Sequence, residues 1–168
     1  MRELPLTPHI EGVIEKTKEL SNILHRNGAD IDLFFHCFLS DLGQSCSSIF
    51  KKVNVDPKDL LKESRSVLSK KRKNKYAKKS IKTDVRKLLK EAEKISLENF
   101  KIDYIPPEVI LMVFFDNTHS PKVVKNLFPK GSESSDEIFL GFVTECSLVV
   151  KDFDPTTSSS LVSGETPE

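Results

Sequence analysis

The 168-residue chain has no excess of one charge: 26 Lys and Arg against 25 Asp and Glu leave a formal net charge of +1. Global charge therefore points neither to nucleic acid nor to an acidic partner. No run approaches the ~18 apolar residues that a membrane-spanning helix needs. Met1-Arg2-Glu3-Leu4-Pro5 carries no apolar stretch of the signal-peptide kind. Cysteine is scarce. Cys37, Cys46 and Cys146 cannot all pair within one chain, and their spacing fits no zinc knuckle. These absences predict free thiols in a reducing, cytoplasmic setting, with no membrane contact. The six glycines are scattered, and nothing matches G-x-x-x-x-G-K-[ST], so no phosphate-cradling loop is present and ATP hydrolysis is not expected. No nucleophile, base or metal set is visible either. A non-enzyme without cofactor or metal is expected.

What the chain does have is one helical unit written twice. Ile10-Glu11-Gly12-Val13-Ile14-Glu15-Lys16-Thr17 lies over Val85-Arg86-Lys87-Leu88-Leu89-Lys90-Glu91-Ala92, and the two segments open at Thr7-Pro8 and Thr83-Asp84. Further on, Ile31 and the run Phe34-Phe35-His36-Cys37-Phe38-Leu39 match Ile105 and the run Glu108-Val109-Ile110-Leu111-Met112-Val113. Self-similarity at a long period marks a supersecondary unit that buries its apolar face against a copy of itself. Two copies predict one closed, pseudo-twofold globule, with Ile10, Val13, Ile14, Val85, Leu88 and Leu89 in a shared core. The hydrophobic fraction, 38%, is low but enough for one core.

Helical periodicity and caps predict eight helices. In the first copy they run from Pro8 to about Arg26, from Asp32 to Leu42, from Ser47 to Val53, and from Asp56-Pro57 onward. In the second they cover Asp84 to Leu97, Pro106-Pro107 to about Phe115, Ser120-Pro121 to Pro129, and a last helix opened by a capping box of Ser134 with Glu137. The resulting organisation is a single domain over 1–153, with repeat one at 5–69, a basic linker at 70–82 and repeat two at 83–153. The polar segment 154–168 is expected to stay disordered. From Arg65 to Thr83 there is no acidic residue, and like-charge repulsion predicts an extended or loosely helical linker.

Two four-helix units joined in this way resemble the Clp repeat domain, the N-terminal domain of Clp-type AAA+ unfoldases and of small stand-alone relatives. The family pattern has a Thr-led first helix, an Ile-x-x-Glu-His-Leu-Leu-Leu run and a Val-Asp-Pro-x-x-Leu segment. Here these read Thr7 to Thr17, Ile31 to Leu39 and Val55-Asp56-Pro57-Lys58-Asp59-Leu60, with second-copy counterparts at Thr83 to Ala92 and Ile105 to Leu111. The resemblance implies an all-α fold of two pseudo-twofold four-helix repeats, without an ATPase module. It implies a non-catalytic protein-binding module: an accessory subunit, adaptor or decoy for a Clp protease or chaperone system. In some family members the paired glutamates look like receptors for phosphorylated arginine. Here the Glu-His pair reads as split, with Phe35-His36 in one copy and Glu108-Val109 in the other.

Candidate partner-binding residues follow from these patterns. Phe34 and Phe35, with Phe114 and Phe115 at the corresponding edge, are core residues or, where exposed, an apolar groove. Glu108 is a helix-dipole partner or a remnant peptide-binding carboxylate. Lys70, Lys71, Arg72, Lys73, Lys75, Lys78 and Lys79 have three readings: a solvated loop, a contact for an acidic protein surface, or a nucleic-acid contact with one interleaved aromatic, Tyr76. A structural or interaction protein, viral or nucleic-acid-associated, that keeps the fold without Clp binding is the alternative function. Cys37 beside His36 is read as core, since adjacent helical residues point about 100° apart. His9, His25 and His119 are read as solvated.

Overall fold

Thr7 and Pro8 start the first helix as the sequence requires. The Thr7 hydroxyl accepts the Ile10 N–H, and Pro8 gives up no intrahelical bond. In the computed structural model, which describes residues 4–71 and 73–152, the elements are α1 (Pro8–Ile23), β1 (Asn27–Ala29), α2 (Ile31–Ser40), α3 (Gln44–Val53), α4 (Pro57–Ser69), β2 (Lys78–Ile81), α5 (Thr83–Glu98), α6 (Pro107–Phe114), α7 (Lys122–Leu127) and α8 (Glu133–Asp152). Helices α1–α4 and α5–α8 are the two repeats, and among the described residues the fold is all-α apart from one two-stranded ribbon and an isolated bridge. The expected disorder of 154–168 lies outside the described residues.

Several ends follow local chemistry. Asp56 caps α4, its Oδ1 accepting the Lys58 N–H at 2.9 Å. Asp56→Ala is expected to lower stability by about 1 kcal/mol, read as a small drop in melting temperature. Asn54 closes α3 in the left-handed region (φ 66°), and the Val55 N–H returns to the Phe50 carbonyl at 3.0 Å. The box expected at Ser134 is not the cap of α8. That helix begins at Glu133, and it is Ser132 whose hydroxyl accepts the Ser135 N–H at 3.4 Å.

The repeats interlock through two symmetry-related parallel pairings. Leu6, just before α1, bridges Ile105, just before α6, with the Ile105 N–H on the Pro5 carbonyl at 2.9 Å. Likewise β2, just before α5, pairs in parallel with β1, just before α2, in the register Asn27↔Lys78 and Ala29↔Ile81. Each repeat's entry segment thus pairs with the segment that precedes the second helix of the other repeat. Residues 78–81 of the linker are therefore extended, as strand β2, rather than loosely helical.

One apolar cluster runs through both repeats and contains Ile10, Val13, Ile14, Val85, Leu88 and Leu89, as the duplication predicts. Its centre is aromatic. Phe34, Phe35 and Phe38 of α2 meet Phe114 at ring separations of 5.6, 4.7 and 5.2 Å. A smaller cluster of Ala29, Leu33 and Leu68 lies beside the ribbon.

Candidate functional site

Phe34 and Phe35 are fully buried, as are Phe114 and Phe115. Their rings form the junction between the second helices of the two repeats. The apolar groove that this aromatic set would have made if exposed does not form, because the pseudo-twofold packing turns both pairs inward. Phe34 and Phe35 thus offer no surface to a partner.

The helix starts correct the register between the copies. Both α2 and α6 open one residue before an acid: Asp32 is the second residue of α2, and Glu108 the second of α6. Glu108 therefore corresponds to Asp32, not to Phe34, and the carboxylate of the first copy is not lost. Matching the copies on the apolar run Phe34–Leu39 sets them two positions out of this register. The signal that finds Asp32 is an acid just inside each helix start, after Asp30 in one copy and Pro106 in the other.

The two acids have different surroundings. Asp32 is 4% exposed. Its Oδ2 lies 2.5 Å from the Lys71 ammonium, and its Oδ1 accepts the Lys122 N–H at 2.8 Å. Asp30 caps α2 through the Leu33 N–H and holds Lys71 at 2.6 Å. Glu108 is 9% exposed and has no hydrogen bond or ion pair among the described residues. It lines a cavity of about 200 Å³ with Thr7, Tyr104, Pro106, Pro107 and Val150. Burial pushes the Tyr104 hydroxyl above its usual range, and the charges of Glu108 and Asp103 add to this. The Cys46 and Cys146 thiols are also pushed up, first by burial and then by neighbouring negative charges that include Glu108. The cavity is thus an anionic recess whose wall joins the start of α1 to the start of α6.

The linker lysines divide into two groups. Lys71 is spent internally on Asp30 and Asp32. Burial lowers its pKa, but the hydrogen bonds and charges of the two aspartates outweigh that and leave it raised. Lys70 is exposed at the end of α4, and Lys73, Lys75, Lys78 and Lys79 are exposed on and before β2. Arg72 lies outside the described residues. Tyr76 is 73% exposed, with the Lys75 ammonium 5.7 Å from its ring centre.

The model of the Clp repeat (R) N-terminal domain matches residues 3–127, about three-quarters of the chain. The chain belongs to the Clp repeat N-terminal domain family. Solved structures show the same fold. The Hsp104 N-terminal domain from Candida albicans superposes with a TM-score of 0.65 at 18% identity, over 83% of this chain and 89% of that one. The N-domain of ClpV from Vibrio cholerae gives 0.65 at 12% identity, over 84% and 85%. A ClpV N-domain in complex with a VipB peptide gives 0.63 at 12%, over 84% and 87%. No curated protein matches the chain in sequence.

Within this Clp repeat domain the other polar groups serve the fold. His36 Nδ1 is 2.9 Å from the Ser64 hydroxyl, and burial, then the Arg65 charge, lowers its pKa. Burial raises the Cys37 thiol, against smaller opposing effects of Thr17 and Lys16. His9 reaches the Asp41 carbonyl at 2.7 Å, and His119 pairs with Asp116 at 3.0 Å. Among the described residues no three His, Cys, Asp or Glu side chains are grouped to hold a metal ion, and no helix is long and apolar enough to cross a membrane.

Proposed function

We propose that this Clp repeat domain is a non-catalytic protein-binding module acting with a cytoplasmic Clp-type protease or chaperone system, as an accessory subunit, an adaptor or a decoy of an unfoldase's own N-terminal domain. The Glu108 recess carries this reading. A nearly buried carboxylate without a hydrogen bond or ion pair among the described residues, lining a cavity between the two repeats, suits a cationic side chain on a peptide. The first repeat illustrates the same chemistry at the equivalent acid, where Asp32 holds the ammonium of Lys71. That a ClpV N-domain of this fold takes a VipB peptide supports a peptide as the kind of ligand.

The test is titration of an arginine-containing peptide, with and without phosphorylation of the arginine, alongside capture of Clp unfoldase and protease components by the purified chain. Glu108→Gln keeps the shape and removes the charge. It is expected to weaken peptide binding about tenfold, the loss of one charge-assisted hydrogen bond. Equal affinity of wild type and Glu108→Gln would remove the recess from the binding site. The exposed linker lysines favour a second reading, an interaction protein that has kept the fold and contacts nucleic acid. Binding to oligonucleotides that falls steeply and log-linearly with salt would support it.

A further inference from the structure

We propose that the outer edge of β2 is a second docking site, which takes an extended, acidic segment of a partner protein as a third strand. The ribbon has two strands, so β2 pairs with β1 on one side only. Lys78, Lys79 and Ser80 are exposed, and Ile81 is half-buried. Along such an edge the outward N–H and C=O groups have no strand to bond, and this is a template for another chain.

The edge is held in place before any partner arrives. The Asn74 N–H donates to the His25 carbonyl at 2.6 Å, Lys78 N–H to Arg26 at 3.0 Å, and Lys82 N–H to Ala29 at 2.9 Å. The Ser21 hydroxyl donates to the Lys78 carbonyl at 3.0 Å. Gly28 (φ +100°) lets the strands close up: a Cβ there would sit 3.0 Å from the Lys82 Cγ and 3.2 Å from the Ser80 carbonyl oxygen. A strand fixed in this way needs little ordering on binding.

Charge selects the occupant. Lys73, Lys75, Lys78, Lys79 and Lys82 are exposed, and none has a carboxylate within ion-pair distance among the described residues. Lysines on an open edge repel a second copy of the same edge, so self-pairing is disfavoured. They attract a strand bearing carboxylates, whose side chains meet theirs across the ladder. Nucleic acid would satisfy the charge but not the backbone groups of the edge, and Tyr76 is a single stacking platform. The site shares no residue with the lining of the Glu108 recess and prefers the opposite charge.

The test uses the full chain and a labelled peptide alternating glutamate with valine, followed by fluorescence anisotropy at two salt concentrations. Three probes accompany it: the same peptide N-methylated at alternate backbone nitrogens, a single-stranded oligonucleotide of equal charge, and the Lys78→Ser/Lys79→Ser double variant. N-methylation and the double substitution are each expected to weaken binding about tenfold, the equivalent of ~1.4 kcal/mol. Raised salt should weaken it further, and Glu108→Gln should leave it unchanged. The substituted side chains are exposed, so the melting temperature of the double variant should match wild type. Equal binding of the N-methylated peptide would reduce the site to a charged surface and overturn strand addition. Tighter binding of the oligonucleotide than of the peptide, or no peptide binding at low salt, would overturn the proposal as well.

Discussion

Replacing Phe115 by Ala is expected to lower stability by about 3–5 kcal/mol, the range for deleting a buried aromatic ring whose site does not collapse. Phe115 is fully buried at the end of α6. Its ring stacks on Phe142 of α8, with centroids 3.8 Å apart and planes 15° apart. It also meets Phe35 of α2 and Phe50 of α3, each at 6.3 Å, and Phe128 and Phe139 at 6.1 and 6.2 Å. One side chain thus touches both repeats, and neighbouring helices cannot close on the void without breaking other ring pairs. Such pairs add ~0.5–1.5 kcal/mol each beyond area burial. Phe115→Leu keeps more of the volume and should lose less. Urea unfolding followed by circular dichroism measures both variants. A midpoint for Phe115→Ala close to wild type would mean that the core relaxes, and that the two repeats are not locked through this ring.

The helical plan was legible because it is written in short-range signals. Apolar spacing in Ile10–Thr17 and Val85–Ala92 survives in one face of each first helix, and Thr7-Pro8 and Asp56-Pro57 mark starts by cap chemistry alone. What could not be read depends on distant partners. β2 is lysine-rich, a composition depleted in strands; charge repulsion allows an extended linker, but its pairing depends on β1, far back in the chain. The Glu108 recess draws its wall from Thr7, Tyr104 and Val150, which nothing in local sequence joins. The register between α2 and α6 is hidden for another reason. The Phe34–Leu39 run carries more apolar weight than the single acid at Asp32, so an alignment by hydrophobicity overrides the helix start. Fold class survives such a slip. The position of a charged residue does not.

Lys71→Met should destabilise the fold by about 3 kcal/mol, near the lower end of what breaking a buried ion pair brings. The ammonium lies between Asp30 and Asp32, with the three side chains 20%, 24% and 6% exposed. Losing it leaves Asp32 with the Lys122 N–H as its remaining partner, inside the junction of the linker with the starts of α2 and α7. Asp32→Asn in the Lys71→Met background removes the uncompensated charge, so part of the loss should return. The pH dependence has a definite sign. The folded pKa of Lys71 is raised, so the contribution is complete below the ordinary lysine value of about 10.4 and fades as pH rises through the folded value. The stability difference between wild type and Lys71→Met should therefore be flat from neutral pH to about 10 and shrink only above it. Because Lys71 also anchors the segment leading into β2, its removal should speed hydrogen exchange at 78–81. A difference below about 1 kcal/mol with unchanged exchange would show that water replaces the ammonium, and that the backbone bonds to β1 alone hold the linker strand.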